Sequence, residues 1–285
     1  MICNRVLHSY KSSKKTMSSV KIVIRNVSSE IIDQTTKVDK YTINHAVVGN
    51  GKHTILLLPG AMGTMQSDFA PQFSGLDKTK YTLVSWDPIG YGKSRPPERE
   101  YIPDFYVNDA EVLAKLMKNL GKQQYSVVGW SDGAITGTIL AALFPSCVHR
   151  LVLMATMAYV TQEDVDIYES LKDISKWTPQ LRSKLEAVYG AEYLERLWTS
   201  YCQYFVNLLS SSNGEVCQRF LPQVLCPTLV LHGELDPLVP VYHGKFVADN
   251  ISNAKFHLVE KGKHNFHIKF ADSINSKIDQ FLSEK

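Results

Sequence analysis

The 285-residue chain has no apolar run near the roughly 18–20 residues that a membrane-spanning helix requires, so no membrane partner is expected. It contains no GxxxxGK(S/T) or GxGxxG stretch, and with these missing nothing in it is built to cradle a nucleotide phosphate. No HExxH or comparable spacing of histidines and acids is present, which disfavours a metal hydrolase; neither a metal nor another cofactor is expected. The five cysteines (Cys3, Cys147, Cys202, Cys217, Cys226) are odd in number and form no CxxC pair. That argues against a disulfide framework and favours free packing thiols in a reducing compartment. Acids are absent before Glu30, whereas residues 1–29 carry Arg5, Lys11, Lys14, Lys15, Lys21 and Arg25. Taking those six from the 31 basic residues leaves 25 against 28 acids. The body of the chain is therefore mildly acidic and lacks the basic footprint of a nucleic-acid surface.

With 44% hydrophobic and 21% charged residues, the composition is that of a globular protein. Residues 1–29 lack the apolar core of a secretory signal. They are compatible either with a mitochondrial transit peptide, with Met17 as a second start, or with a plain tail on a cytoplasmic protein.

Six short runs read as buried strands: HTILLLPG (53–60), YTLVSWDP (81–88), YSVVGWS (125–131), RLVLMAT (150–156), PTLVLHGE (227–234) and AKFHLVE (254–260). Their unbroken apolar character suits a parallel sheet covered on both faces. KIVIRNV (21–27) and YTINHAVV (41–48) alternate more and suggest an antiparallel edge. Helical spacing joins Phe105, Asp109, Val112, Leu113, Leu116, Met117 and Leu120, with Gly121 as a stop. Alternating strands and helices predict an α/β fold with a mostly parallel, doubly wound sheet. Residues 157–222 break the rhythm, with no convincing strand, helical patterns and ten aromatics. They are expected to form a helical lid inserted in a core made of 30–156 and 223–285.

The chemistry centres on Gly129-Trp130-Ser131-Asp132-Gly133, at the junction of a buried strand and an apolar helix. Gly-x-Ser-x-Gly in that context is a nucleophile elbow: the serine takes a strained backbone, and glycines remove side chains that would collide. A serine nucleophile needs a base and the base an orienting acid, in the chain order Ser, acid, His. Asp236 lies just beyond the strand in LHGELDPLVP, and His264 in the loop of VEKGKHNFH. Both therefore sit outside carboxyl ends of strands, where ligands bind in open α/β sheets. Glu234 and His267 are weaker alternatives, the first close to a strand end and the second inside a helical pattern. One oxyanion donor is the backbone N–H of Asp132; the second comes from Gly60-Ala61-Met62-Gly63, with Ala61 and Met62 both open. Asp87, in DPIGYGKS, is read as a structural acid. Tyr159, Trp177 and Leu238 are candidate wall residues of the substrate pocket.

GWSDG, AYVTQEDVDIYESLKDISKW, LHGELDPLVP and GKHNFHIKFAD together resemble the biphenyl hydrolase-like (valacyclovir hydrolase) group within the α/β-hydrolase fold. The likeness runs from about Tyr41 to the C-terminus. It implies cleavage of α-amino acid esters, with Ser131 as nucleophile, His264 as base, Asp236 as its partner and Asp132 as the group that binds the substrate ammonium. Ile89 departs from the pattern, since many relatives carry Arg there, and the stretch before Tyr41 is longer than the resemblance leads one to expect. An acid beside the nucleophile otherwise counts against catalysis. At about 6 Å from a developing oxyanion and an effective dielectric near 20 it costs about 3 kcal/mol, which an ammonium on the substrate would offset. The other role open to Asp132 is to cap the following helix. The expected partner is thus a small ester with a free α-amino group, handled by a monomer. A carbon–carbon hydrolase of ring-cleavage products and a general carboxylesterase are the alternatives on the same triad.

Overall fold

The computed structural model describes residues 31–284. Residues 1–30, which hold the basic stretch, the KIVIRNV run and Cys3, lie outside it. Eight strands form one sheet: β1 (Gln34–Val38), β2 (Tyr41–Val48), β3 (His53–Leu58), β4 (Tyr81–Trp86), β5 (Tyr125–Trp130), β6 (Val148–Met154), β7 (Thr228–Gly233) and β8 (Ala254–Val259). Their spatial order is β1-β2-β4-β3-β5-β6-β7-β8, antiparallel at the β1–β2 and β2–β4 pairings and parallel from β4 onward. The six apolar runs all became strands of the parallel part. YTINHAVV forms the antiparallel β2, but its outer partner is QTTKV, which sequence reading passed over because it is polar and largely exposed.

Strand alternation divides the core between the two faces of the sheet. Leu56 and Leu58 of β3 face one cluster, together with α2 (Phe105–Asn119), α3 (Asp132–Leu143) and the residues inserted after β6. Ile55 and Leu57 face the other, with α1 (Met65–Gly75), the one-turn α8 (Phe266–Lys269) and the C-terminal α9 (Ala271–Ser283). α3 is buried along Asp132–Ala142, as expected of a helix apolar nearly all round. Gly121 follows α2 with φ +71°, a conformation glycine adopts without steric cost.

The insertion holds α4 (Gln162–Leu171), α5 (Pro179–Tyr189), α6 (Ala191–Ser212) and two short 3₁₀ turns. Its ends are joined by an isolated bridge between Tyr159 and Glu215. Aromatics fill its interior: Tyr168 stacks on Phe205 with centroids 4.7 Å apart, and Trp198 stacks on Tyr201 at 5.4 Å. The Trp177 and Trp198 indoles both donate to the carbonyl of Leu171, at 3.1 and 2.8 Å. A buried pair ties the insertion to α7 (Val241–Asp249). His243 Nε2 donates to both oxygens of Asp164, at 2.9 and 3.0 Å, with both side chains fully excluded from solvent. Cys147, Cys202, Cys217 and Cys226 are free thiols.

Candidate active site

The β5–α3 junction is a sharp turn. Ser131 has φ 54° and ψ −122°, backbone an L-residue holds only under constraint. The turn requires its glycines. A Cβ on Gly133 would lie 2.0 Å from the Leu58 carbonyl oxygen, and one on Gly129 would lie 2.3 Å from that of Gly133. The Ser131 N–H donates to Met154 O at 2.9 Å, which continues the sheet pairing up to the strained residue.

Two loops bring the other groups to this turn. Ser131 Oγ lies 3.1 Å from His264 Nε2, and His264 Nδ1 lies 2.8 Å from Asp236 Oδ2. Since the carboxylate only accepts, the hydrogen sits on Nδ1 and leaves Nε2 free to accept from the serine. The Asp236 side chain is fully buried, and its Oδ1 accepts the N–H groups of Leu238 and Val239 at 2.9 and 3.0 Å. Burial pushes its pKa up, but the hydrogen bond and charge of His264 and those two N–H groups outweigh it and hold the carboxyl below its ordinary value. Leu238 acts here through its backbone, with its side chain half-buried. The Trp130 indole donates to His264 O at 2.8 Å and fixes the loop that carries the imidazole. Neither alternative takes part: His267 is buried, donating to Asp68 O at 3.0 Å, and Glu234 braces its loop by accepting the Lys261 N–H at 2.9 Å.

The loop after β3 is held from two sides. Gly60 N–H donates to the buried Asp68 at 2.9 Å, and Met62 O accepts from Tyr189 of α5 at 2.8 Å. Met62 has φ 55°. Among the described residues the N–H groups of Ala61 and Asp132 donate to no acceptor, and the Met62 N–H faces the Tyr91 hydroxyl without a full hydrogen bond. These are the three donors that reading the sequence named, and the geometry leaves Ala61 and Met62 both open. Asp87 accepts from Asn44, Met65 N–H and Lys93 N–H, a brace between β2, α1 and its own loop.

Asp132 is 6% exposed and does not cap α3: no backbone N–H donates to its side chain. Its Oδ1 instead accepts the hydroxyl of Tyr201, from α6, at 2.6 Å, while Oδ2 is buried with no protein donor among the described residues. Burial, opposed mainly by the Tyr201 bond, pushes its pKa up to about 6. Asp132, Tyr106, Arg99 and Asp109 line one internal cavity of about 10 Å³, room for about one water. The buried cation there is already committed: Arg99 Nη1 and Nη2 donate to the two Asp109 oxygens at 3.0 and 2.7 Å. Sequence reading missed Arg99, Asp109 and Tyr201 as neighbours of Asp132, and no local signal marks them. Of the named wall residues, Tyr159 packs on His243 and Phe246 of α7, and Trp177 lies edge-on to Trp198 inside the insertion. Among the described residues neither hydrogen-bonds to or stacks on Ser131, His264 or Asp236.

A strand-held serine, a histidine and a buried acid beyond the strand ends define a class. The chain belongs to the α/β-hydrolase fold family, whose model matches residues 53–204. Within it the chain is similar to Serine hydrolase BPHL of Mus musculus, 45% identical over 240 residues that cover 84% of this chain and 82% of the mouse protein. It is similar to the Homo sapiens protein of that name at 44%, with the same coverage. It is therefore a serine hydrolase. The fold is also that of the 2-hydroxy-6-oxo-6-phenylhexa-2,4-dienoate hydrolase of Rhodococcus sp. strain RHA1. That match has TM-score 0.74 and 16% identity, over 90% of this chain and 99% of the other.

Proposed function

We propose that this serine hydrolase cleaves esters of α-amino acids through an acyl-enzyme, with Asp132 binding the substrate ammonium. The observation that carries the reading is the charge balance beside the nucleophile. Asp132, Asp109 and Arg99 sum to one uncompensated negative charge in a buried cluster, because the only cation in it is paired to Asp109. A buried charge without a partner is costly, and a substrate ammonium next to the scissile carbonyl would supply the partner. Ser131 Oγ attacks that carbonyl while His264 Nε2 takes its proton, and Asp236 stabilises the imidazolium. The Asp132 N–H and a second from Ala61 or Met62 receive the oxyanion. The protonated His264 then gives its proton to the departing alkoxide. Water repeats the sequence on the acyl-enzyme and releases the free amino acid.

In this reading the insertion shapes the leaving-group side, with Tyr159, Trp177 and Leu238 as wall residues. A carbon–carbon hydrolase draws support from relatives of that activity at 24% identity, but its anionic substrates would meet the Asp132 charge. The test is a panel of aminoacyl esters and their des-amino analogues on wild type and Asp132→Ala. The expected result is a fall of about 10- to 150-fold in the aminoacyl to des-amino ratio of kcat/KM. A parallel loss of both activities, leaving the ratio at its wild-type value, would refute ammonium binding and leave the serine hydrolase standing.

A further inference from the structure

Asp132 meets its substrate with a hydrogen bond already in place, and the donor comes from the insertion rather than the core. Tyr201, on α6, donates to Oδ1 at 2.6 Å across a sequence separation of 69 residues. The ring has little freedom. Trp198 stacks on it at 5.4 Å with planes 27° apart, and Tyr168, Phe205 and Tyr101 meet it edge-on at 5.8, 4.9 and 5.4 Å. Trp198 is itself pinned through its indole N–H to Leu171 O. The hydroxyl is therefore pre-aimed, and the bond costs little further ordering when a ligand arrives.

We propose that Tyr201 is a specificity-determining positioning residue: its phenol holds Asp132 as an oriented carboxylate and so sets the preference for substrates carrying an ammonium. The proposal rests on the reading of Asp132 as the ammonium site. The other groups around the carboxylate do not replace Tyr201. From α2, Tyr106 turns a buried hydroxyl toward the same carboxylate and favours its ionisation after Tyr201, but forms no full hydrogen bond to it, and Asp109 opposes ionisation of Asp132. From the loop before α2, Arg99 favours ionisation, but its charge is shared with Asp109. Tyr91, Tyr101, Tyr168 and Tyr204 face the same charge as neutral phenols, their pKa values raised by burial and by Asp132. Burial likewise keeps Tyr201 protonated, so it donates and never competes as an anion. With a pKa pushed up to about 6, Asp132 is still mostly ionised at pH 7. Loss of a charge-assisted hydrogen bond moves it up by about one pH unit, into the range where half or more is neutral.

The experiment measures kcat/KM against pH for an aminoacyl ester and its des-amino analogue and takes their ratio, which cancels the titration of His264. In wild type the ratio rises through an acidic limb near pH 6, then falls on an upper limb that belongs to the substrate's own ammonium. In Tyr201→Phe the acidic limb moves up by about one pH unit, the upper limb stays, and the ratio at pH 7 falls about twofold. 3-Fluorotyrosine at position 201 guards against a folding defect. It is nearly isosteric and a stronger donor, and it moves the acidic limb to lower pH. An acidic limb unmoved in both variants, while Asp132→Asn still collapses the ratio, overturns the role of Tyr201 and leaves ammonium binding intact. A ratio unchanged by Asp132→Asn overturns both.

Discussion

Asp109→Asn tests how the charge cluster beside the nucleophile is held together. The Arg99 and Asp109 side chains are 4% and 3% exposed, and two hydrogen bonds join them. The substitution keeps the shape and removes one charge, so the guanidinium faces a neutral amide at bonding distance and keeps only the Asp132 carboxylate across the cavity as a counter-charge. Removing one member of a buried pair costs about 3–5 kcal/mol. Arg99 keeps its bond to Ile89 O at 3.0 Å and lies over the rings of Tyr91 and Phe105, at 5.0 and 4.5 Å. These contacts place the loss at the lower end, about 3 kcal/mol. For a domain of this size each kcal/mol moves Tm by about 2–4 °C, so the midpoint should fall by roughly 6–12 °C in a calorimetric scan. The double variant Arg99→Met with Asp109→Leu removes both charges into apolar volume and should recover most of that loss. A single variant as stable as wild type, or a double variant no better than the single, would refute the argument that the pair is costly only when broken.

Ser131→Ala should abolish ester hydrolysis with an unchanged unfolding midpoint, since one small, half-buried hydroxyl is lost; turnover near wild type would remove Ser131 from its role. Asp236→Asn should lower kcat by about 10⁴-fold, because His264 loses its tautomer and charge partner. At the base of the insertion, burial raises the pKa of Asp164, but its bonds to His243 and Thr161 outweigh that and hold it below its ordinary value. A depressed carboxylate contributes stability above its unfolded pKa and loses it as pH falls through the folded one. The stability difference between wild type and Asp164→Asn should therefore be full at pH 6 and shrink below about pH 4, read as denaturation midpoints across pH 3–6. A difference independent of pH would rule out the charged form.

What could be read from the sequence was local. HTILLL, YTLVSW and YSVVGW announce buried parallel strands because covering both faces leaves no polar positions. The serine was legible because the elbow needs small residues on both sides of it at fixed spacing, and the β7 and β8 strand ends then mark where Asp236 and His264 must lie. QTTKV was not legible, because an exposed edge strand owes its pairing to backbone hydrogen bonds with β2 and carries little apolar pattern. The surroundings of Asp132 belonged to tertiary structure alone. An acid after the nucleophile reads equally as a helix cap or a binding group. Only the packing of α6 over α3 brings Tyr201 to it, only the loop before α2 returns Arg99 to Asp109, and only the seating of the insertion on α7 joins Asp164 to His243 across 79 residues. Such pairs join residues from different elements, and nothing in either residue's own neighbourhood along the chain encodes the other.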